Sequence, residues 1–272
     1  MFRNNDSLKI KMPEQVPPGV ARAFEVLIPT CLTAIVVGAI GLVSQLATGA
    51  ELNAFIFNMV QKPLQSLIGD NIFAVAIMYV IISLFWCVGI HGNNMLAAVK
   101  EPIFRPLLYA NTAAYTAHND IPYVMNLTML QMFGEFGGSG VTIGLVIAIF
   151  IFSKREDNRT IAGISIVPGL FNINETMTFG IPLVLNPILD IPFILAPVAT
   201  VVIGYLLVSS GFCPKIVLEV PWTMPPVIMG FLATGGKPMG AISQLIVIAV
   251  SIVIYKPFLL AYEKYQAKQS AE

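Results

Sequence analysis

The sequence predicts an all-α polytopic membrane protein, and three observations lead to that fold class. Of the 272 residues, 56% are hydrophobic and only 11% are charged. A soluble domain normally carries about a quarter of its residues as charged side chains. The apolar residues are gathered into long runs, and the formal net charge is zero. The low share of charged residues and the long apolar runs predict a lipid bilayer as the surroundings of the chain. The balanced charge provides no basic surface, so we predict no nucleic-acid partner.

Spanning helices are predicted where charge-free stretches reach about 20 mostly apolar residues, the length that crosses a bilayer. None of these stretches resembles a cleavable signal peptide. We predict five spans, at residues 26–47, 71–90, 136–153, 191–212 and about 239–255.

The segments between these spans do not have the composition of ordinary loops. Residues 53–68 have apolar positions at helical spacing and predict an amphipathic helix in the membrane interface. Residues 160–187 are apolar on both arms with Pro-Gly and Asn-x-Asn-Glu in the middle, which favours a re-entrant hairpin of two half-helices. Residues 92–134 are too polar for a clean span, and residues 215–237 are interrupted by proline and glycine.

Irregular backbone at membrane depth is tolerated where protein or a watery cavity satisfies its polar groups. Transporters bind their substrates at such discontinuous helices, because the exposed helix ends supply hydrogen-bond donors and acceptors. The broken segments therefore predict a substrate pathway.

The sequence divides into an N-terminal tail or linker (1–24), a membrane transport domain (25–262) and a polar C-terminal tail (263–272). The basic residues at 154–159 and in the C-terminal tail place both in the cytoplasm by the positive-inside rule. The basic N-terminal tail conflicts with this rule, because three predicted spans separate it from the basic loop.

Two ionisable residues are the strongest candidates for a functional site. His91 ends the second predicted span in FWCVGIHGNN, and Glu175 lies in FNINETMTFG. An ionisable residue inside a membrane domain costs about 2.5–3.5 kcal/mol on insertion scales for Asp, Lys and Arg, and is a functional hypothesis by default. The neighbours of Glu175 can hydrogen-bond a polar ligand or brace the carboxylate: Asn172, Asn174, Thr176 and Thr178.

The chain has two tryptophans: Trp86 shortly precedes His91 on the second predicted span, and Trp222 lies in the proline-broken segment VPWTMPP. Each could instead be an aromatic-belt residue at the membrane interface. Aromatic rings beside carboxylate, amide and imidazole groups suit a sugar, because the rings pack on C–H faces while the polar groups bind hydroxyls.

Other polar positions give weaker signals. Glu135 could line the same cavity, although its neighbouring glycines more simply let a loop approach closely. Lys100, Glu101 and Arg105 could form a local ion pair, and His118 is interpreted as a loop histidine. The three cysteines are far apart without metal-like spacing, so we predict neither a metal nor a cofactor.

Several stretches resemble a known family: IKMPEQVPPGVARAFEVLIP, FWCVGIHGNN, FGGSGVTIGL, FNINETMTFGIPLVLNP and VPWTMPPVIMGFLATGG. They are similar to the membrane subunit, enzyme IIC, of the bacterial phosphoenolpyruvate:sugar phosphotransferase system, of the lactose/cellobiose/diacetylchitobiose type. The resemblance implies a multi-pass protein of the bacterial cell membrane that binds a sugar, usually a β-linked disaccharide. It also implies enzyme IIA and enzyme IIB as partners, with the phosphoryl donor a phosphocysteine on enzyme IIB.

The resemblance implies roles for particular residues. His91 and Glu175 would hold the 6-hydroxyl of the sugar, which accepts the phosphoryl group. Trp86 and Trp222 would stack on the sugar, and Asn94 and Asn174 would contact it.

Members of the family are considerably longer, and this chain resembles their C-terminal transport half. In the family the linker before that half lies outside the cell, which would account for the basic N-terminal tail. We expect a homodimer if the N-terminal half is supplied.

Two other functions remain open at this point. The chain could be a remnant or split-gene product without transport activity of its own. It could also be a secondary sugar carrier that uses Glu175 as a proton site. Whether the chain counts as an enzyme is left undecided.

Overall fold

The computed structural model describes residues 10, 13, 24–49, 59, 63 and 71–269. The chain divides into two compact units, Met1–Pro63 and Leu64–Glu272. All regular secondary structure in the described part of the chain is helical. The predicted division at residues 24 and 262 stays a prediction, and the predicted amphipathic helix at 53–68 lies outside the described residues except for Met59 and Pro63.

The first unit contains helix α1, Leu27–Thr48. It ends where Gly49 adopts a positive φ of 71° and donates its N–H to the carbonyl of Gln45, a common way for glycine to end a helix. Most of its apolar side chains are exposed, as expected of a helix that is surrounded by lipid or by another protein. This helix agrees with the first predicted span.

The second unit contains the remaining helices and a short 3₁₀ turn, Ser139–Val141, between α4 and α5. In chain order the helices are α2 Ile72–Cys87, α3 Gly92–Thr116, α4 Leu127–Gly134, α5 Ile143–Phe152, α6 Glu156–Leu170, α7 Glu175–Gly180, α8 Asp190–Ser209, α9 Ile228–Ala233 and α10 Pro238–Gln269.

The long apolar helices α8 and α10 form the centre of this unit. They contact each other, and α8 also packs on α2 and α4 while α10 packs on α5 and α9. Glycines allow the close approaches: a Cβ on Gly204 of α8 would lie 2.3 Å from the ring of Phe133, and one on Gly144 of α5 would lie 2.2 Å from the Ser251 hydroxyl. Small residues at helix contacts are typical of membrane proteins, in which close backbone packing replaces the hydrophobic effect.

Three described helices are long and apolar enough to cross a membrane: α1, α8 and α10. They correspond to the first, fourth and fifth predicted spans. The second predicted span, 71–90, is a helix of 16 residues, shorter than a usual crossing.

The third predicted span is not one straight helix. Its apolar helix α5 begins only at Ile143, and the segment Leu127–Val141 meets α5 at a bend of 61°. The positive φ angles of Gly137, Gly138 and Gly140 produce this break, because glycine adopts that conformation without a steric penalty.

The broken segments largely agree with their prediction. Residues 160–187 fold into α6, a turn at 171–174 and α7, and the two helices contact each other as a hairpin. Residues 215–237 are irregular except for the six-residue helix α9. Residues 92–134, predicted to be too polar for a clean span, contain α4 and the 25-residue α3, which includes Pro102 and Pro106 and is longer than the sequence indicated.

Candidate functional site

His91 is fixed in the tight turn that joins α2 to α3. Gly89 takes a positive φ of 82° in this turn, and a Cβ on Gly92 would lie 2.0 Å from the Ile82 carbonyl oxygen. The imidazole caps α3, because its Nδ1 accepts a hydrogen bond from the Asn94 N–H at 3.2 Å. A neutral imidazole that accepts at Nδ1 carries its proton on Nε2. The Nε2–H group is therefore free to donate to a ligand.

Glu175 is the first residue of α7 and faces His91 from the opposite side of the site. Its Oε1 lies 3.9 Å from Nε2 of His91, and the two side chains are 47% and 38% exposed, respectively. That distance is too long for a direct hydrogen bond. A hydroxyl oxygen placed about 2.8 Å from both atoms fits between them.

Trp86 lies under His91 and not in the cavity wall. The centroids of the two rings are 4.6 Å apart with an interplanar angle of 51°, and Trp86 is only 3% exposed. Trp86 is therefore not in the cavity lining, and its role as a stacking partner for the ligand stays a prediction. The Trp86 ring packs against the imidazole from the side of the protein core, because α2 directs the ring into the core.

A cavity of about 390 Å³ brings the other predicted residues together. This volume is within the usual range for a small-molecule site, about 300–1,000 Å³. The cavity is lined by His91, Asn93, Asn94, Ala97, Lys100, Glu101, Gln131, Glu135, Gly138, Ser139, Asn172, Ile173, Asn174, Glu175 and Trp222. Five of the six predicted site residues are in this lining, and Trp86 is the exception.

Asn174 connects the hairpin to the glycine-rich loop before α5. Its Nδ2 donates to the Ser139 carbonyl at 2.7 Å, and a Cβ on Gly138 would collide with the Asn174 amide, since its distance to Cγ would be 2.6 Å. The expectation that these glycines allow a close approach is confirmed. Trp222, on the irregular segment after α8, is 55% exposed and lines the cavity.

The cavity also contains an ion pair to which the sequence assigned no joint role. Lys100 and Glu135 are joined at 2.5 Å, and their side chains are 6% and 14% exposed. Tyr79 donates its hydroxyl to Glu135 at 3.1 Å. The local ion pair predicted at 100–105 is confirmed for Arg105 and Glu101, at 2.9 Å, but Lys100 is paired with Glu135 on the other side of the cavity.

The cavity therefore offers separated donors and acceptors beside one exposed aromatic ring. The carboxylate of Glu175 accepts hydrogen bonds, Nε2–H of His91 donates, and side-chain amides such as that of Asn94 can do both. Such a lining suits a neutral ligand with several hydroxyl groups, because each hydroxyl needs both kinds of partner.

Comparisons with known proteins identify the family. Residues 1–197 match the family model described as "Phosphotransferase system, EIIC". The chain is 35% identical to the lichenan permease IIC component of Bacillus subtilis (strain 168) over 97% of this chain and 58% of the relative. It is 37% identical to the cellobiose-specific EIIC component of Lactococcus lactis subsp. lactis (strain IL1403), over 95% of this chain and 56% of the relative.

A solved structure has the same fold. The crystal structure of the transporter ChbC, the IIC component from the N,N′-diacetylchitobiose-specific phosphotransferase system, matches with a TM-score of 0.79 and 34% identity, covering 97% of this chain and 61% of that chain. This chain thus spans roughly three fifths of the length of these three proteins. The matched residues and the shared fold show that the chain belongs to the EIIC family of the phosphotransferase system, a family of integral membrane proteins.

Proposed function

We propose that this chain forms the sugar-binding part of a phosphotransferase permease and holds a β-linked disaccharide in the cavity between α3 and the α6–α7 hairpin. The observation that carries the proposal is the spacing of His91 and Glu175, whose facing atoms are 3.9 Å apart. The three relatives described above are specific, by their names, for lichenan, cellobiose and diacetylchitobiose, all of which contain β-linked sugars.

In this proposal the 6-hydroxyl of the sugar lies between the two side chains. Nε2–H of His91 donates to the hydroxyl oxygen, and the hydroxyl proton points to the carboxylate of Glu175. When the oxygen attacks phosphorus, an O–P bond forms, the S–P bond of the phosphocysteine on enzyme IIB breaks, and the proton passes to Glu175. This is a general-base arrangement for phosphoryl transfer.

The remaining cavity residues orient the sugar. The exposed ring of Trp222 is placed to pack on a C–H face, and the amides of Asn94 and Asn174 are placed to bind hydroxyls. We assign Trp86 to the support of His91.

The proposed orientation in the membrane is based on a contact between the basic loop and the C-terminal end of α10. Asn158, next to the basic loop, donates to Glu263 at 3.1 Å, so this loop and the C-terminal end of α10 lie on the same side. We place that side in the bacterial cytoplasm, where enzymes IIA and IIB act, and we treat the bent α4–α5 pair as one crossing. The 16-residue α2 and the re-entrant α6–α7 hairpin complete the substrate path. We expect a homodimer if the N-terminal half is supplied.

Binding and uptake experiments test the proposal in two steps. Calorimetric titration of the purified chain with cellobiose and diacetylchitobiose should give saturable binding. Uptake into cells that express the chain with its partner proteins should require phosphoenolpyruvate and enzyme IIB. Proton-coupled uptake without either would contradict the proposal and identify a secondary carrier.

A further inference from the structure

Asn172 occupies a constrained position in the turn between α6 and α7, three residues before Glu175. Its backbone has a positive φ of 62°, a conformation that asparagine and aspartate adopt more readily than most residues. The residue lines the cavity but is only 8% exposed. Its side chain is therefore directed mainly into the protein.

The side-chain amide of Asn172 joins two irregular segments. Its Oδ1 accepts from the backbone N–H of Gly137 at 2.7 Å. Its Nδ2 donates to the carbonyl oxygens of Trp222 at 2.6 Å and Met224 at 2.9 Å. Both amide hydrogens are thus committed to the backbone on either side of Thr223, and neither is left for a ligand.

The segment that carries Trp222 is not itself helical and is held by bonds at separate points, such as the bond from Thr112 of α3 to the Val217 carbonyl and the ion pair of Arg105 with Glu219. The backbone is irregular from Gly211 to Val227. Val227, at the end of this stretch, adopts an unfavourable φ of 74°. An exposed ring on such a segment keeps its position only if the backbone beneath it is anchored. The two hydrogen bonds from Asn172 anchor the backbone directly at the tryptophan.

We propose that Asn172 is a positioning residue that holds the Trp222 ring over the cavity, and that it thereby sets the affinity for the sugar. The part of this inference that concerns the sugar rests on the function proposed above. The part that concerns the position of Trp222 can be tested without any ligand.

Asn172→Asp is the informative variant. Aspartate keeps the acceptor for Gly137 and tolerates the left-handed backbone, but an ionised carboxylate cannot donate to the two carbonyls. In a Trp86→Phe background, Trp222 is the single tryptophan. Its fluorescence quenching by iodide should rise about twofold or more in the variant, because the segment opens locally. Asn172→Gly, which keeps the backbone conformation and introduces no charge, should give the same rise.

Asn111 provides a matched control. It is fully buried and makes the same set of bonds: Nδ2 donates to the carbonyls of Tyr123 and Ile216, at 2.8 and 3.0 Å, and Oδ1 accepts from the Tyr123 N–H at 3.0 Å. It anchors the same segment but six residues before Trp222. Asn111→Asp should leave the quenching of Trp222 unchanged. Unchanged quenching in both Asn172 variants, or an equal rise in the control, overturns the inference.

Sugar titrations then test the effect on affinity. For cellobiose or diacetylchitobiose, Asn172→Asp should weaken binding about fivefold, and in a Trp222→Ala background it should have no further effect, because coupled residues are not additive. An equal loss in both backgrounds would contradict a role through Trp222. If the unchanged chain binds neither sugar, the proposed function fails, while the quenching result still decides the position of Trp222.

Discussion

The proposed chemistry of the site depends on how firmly His91 and Glu175 are held, at a separation slightly longer than a hydrogen bond. His91 is fixed by the α2–α3 turn, by its bond to the Asn94 N–H and by the ring of Trp86 below it. Glu175 is placed by the turn that precedes α7. Because their 3.9 Å separation is too long for a direct bond, each keeps hydrogen-bonding capacity for a ligand.

Glu175→Gln should separate binding from phosphoryl transfer. Glutamine keeps the shape and one acceptor oxygen but cannot take a proton. We expect sugar affinity to fall about tenfold and the rate of sugar phosphorylation to fall by about 10²–10⁴, the usual contribution of a general base. Phosphorylation assays with enzyme IIB measure the rate. Glu156→Gln, in the first turn of α6 and outside the cavity, is the control, and normal phosphorylation by the Glu175 variant would exclude the assigned role.

The Lys100–Glu135 pair makes a second residue-level prediction. Both side chains are largely buried, and removing one partner of a buried pair leaves the other charge uncompensated. Lys100→Met should lower the free energy of unfolding by about 3 kcal/mol, whereas Lys100→Met combined with Glu135→Met should recover most of that loss. Unfolding of the detergent-solubilised variants measures both. A double variant less stable than the single one would show that the pair itself is net stabilising.

At the scale of the helices, the unit is held together by close contacts that only small residues permit. Gly204 on α8 faces Phe133 of α4, and Gly144 on α5 faces Ser251 of α10. Gly163, on α6, has no atom within 4 Å of the position of a Cβ. The same substitution should therefore have opposite effects in different helices.

Gly204→Ala should destabilise the protein by about 1–3 kcal/mol, because the added methyl group would lie 2.3 Å from the Phe133 ring. Gly163→Ala should stabilise it by about 0.5–1 kcal/mol, since alanine is the better helix former and the space is open. Thermal unfolding of the two variants side by side measures the difference. Equal effects would mean that α4 and α8 are not packed as described.

The sequence predicted the elements where composition alone decides the structure. The apolar runs of α1, α8 and α10 need no tertiary information, because charge-free stretches of that length are helices in a bilayer. The length of α3 was missed, since its prolines and polar residues hide a helix that tertiary contacts stabilise. The bend before α5 was missed because the positive φ angles of its glycines are not visible in a hydropathy pattern.

Residues that interrupt apolar segments could be singled out as site candidates from the sequence, whereas contacts between distant segments could not. His91, Glu175, Asn94, Asn174 and Trp222 meet at one cavity. The pairing of Lys100 with Glu135 and the bonds of Asn172 to Trp222 and Met224 cross between separate segments, and spacing along the chain does not reveal them. Trp86 packs on His91 and is outside the cavity lining, because helical position near His91 does not distinguish a ring against the imidazole from one facing the cavity.

At the scale of the whole molecule, the second unit has a recognisable polar end. Asn158 and Ser153 both bond to Glu263 near the end of α10, so the basic loop and the C-terminal helix end meet there. The positive-inside rule predicts that this end lies in the cytoplasm.

Cysteine labelling tests that orientation. In a Cys31→Ser background, which removes the one exposed native thiol among the cysteines, Lys154→Cys and Lys268→Cys should both react with a membrane-impermeant reagent only from the cytoplasmic side. Asp120→Cys, in the loop between α3 and α4, tests the opposite end and should react from outside. Labelling of positions 154 and 268 from opposite sides would contradict the described contact.

The central claim is that one sugar hydroxyl lies between His91 and Glu175. Its most direct test is calorimetric titration of the chain with cellobiose and with a cellobiose analogue that lacks both 6-hydroxyl groups. The same two titrations are then made with the Glu175→Gln variant. The account predicts that the analogue binds about tenfold or more weakly than cellobiose to the unchanged chain, and that this preference largely disappears in the variant. Equal binding of the two sugars to the unchanged chain, or a preference that survives in Glu175→Gln, would contradict it.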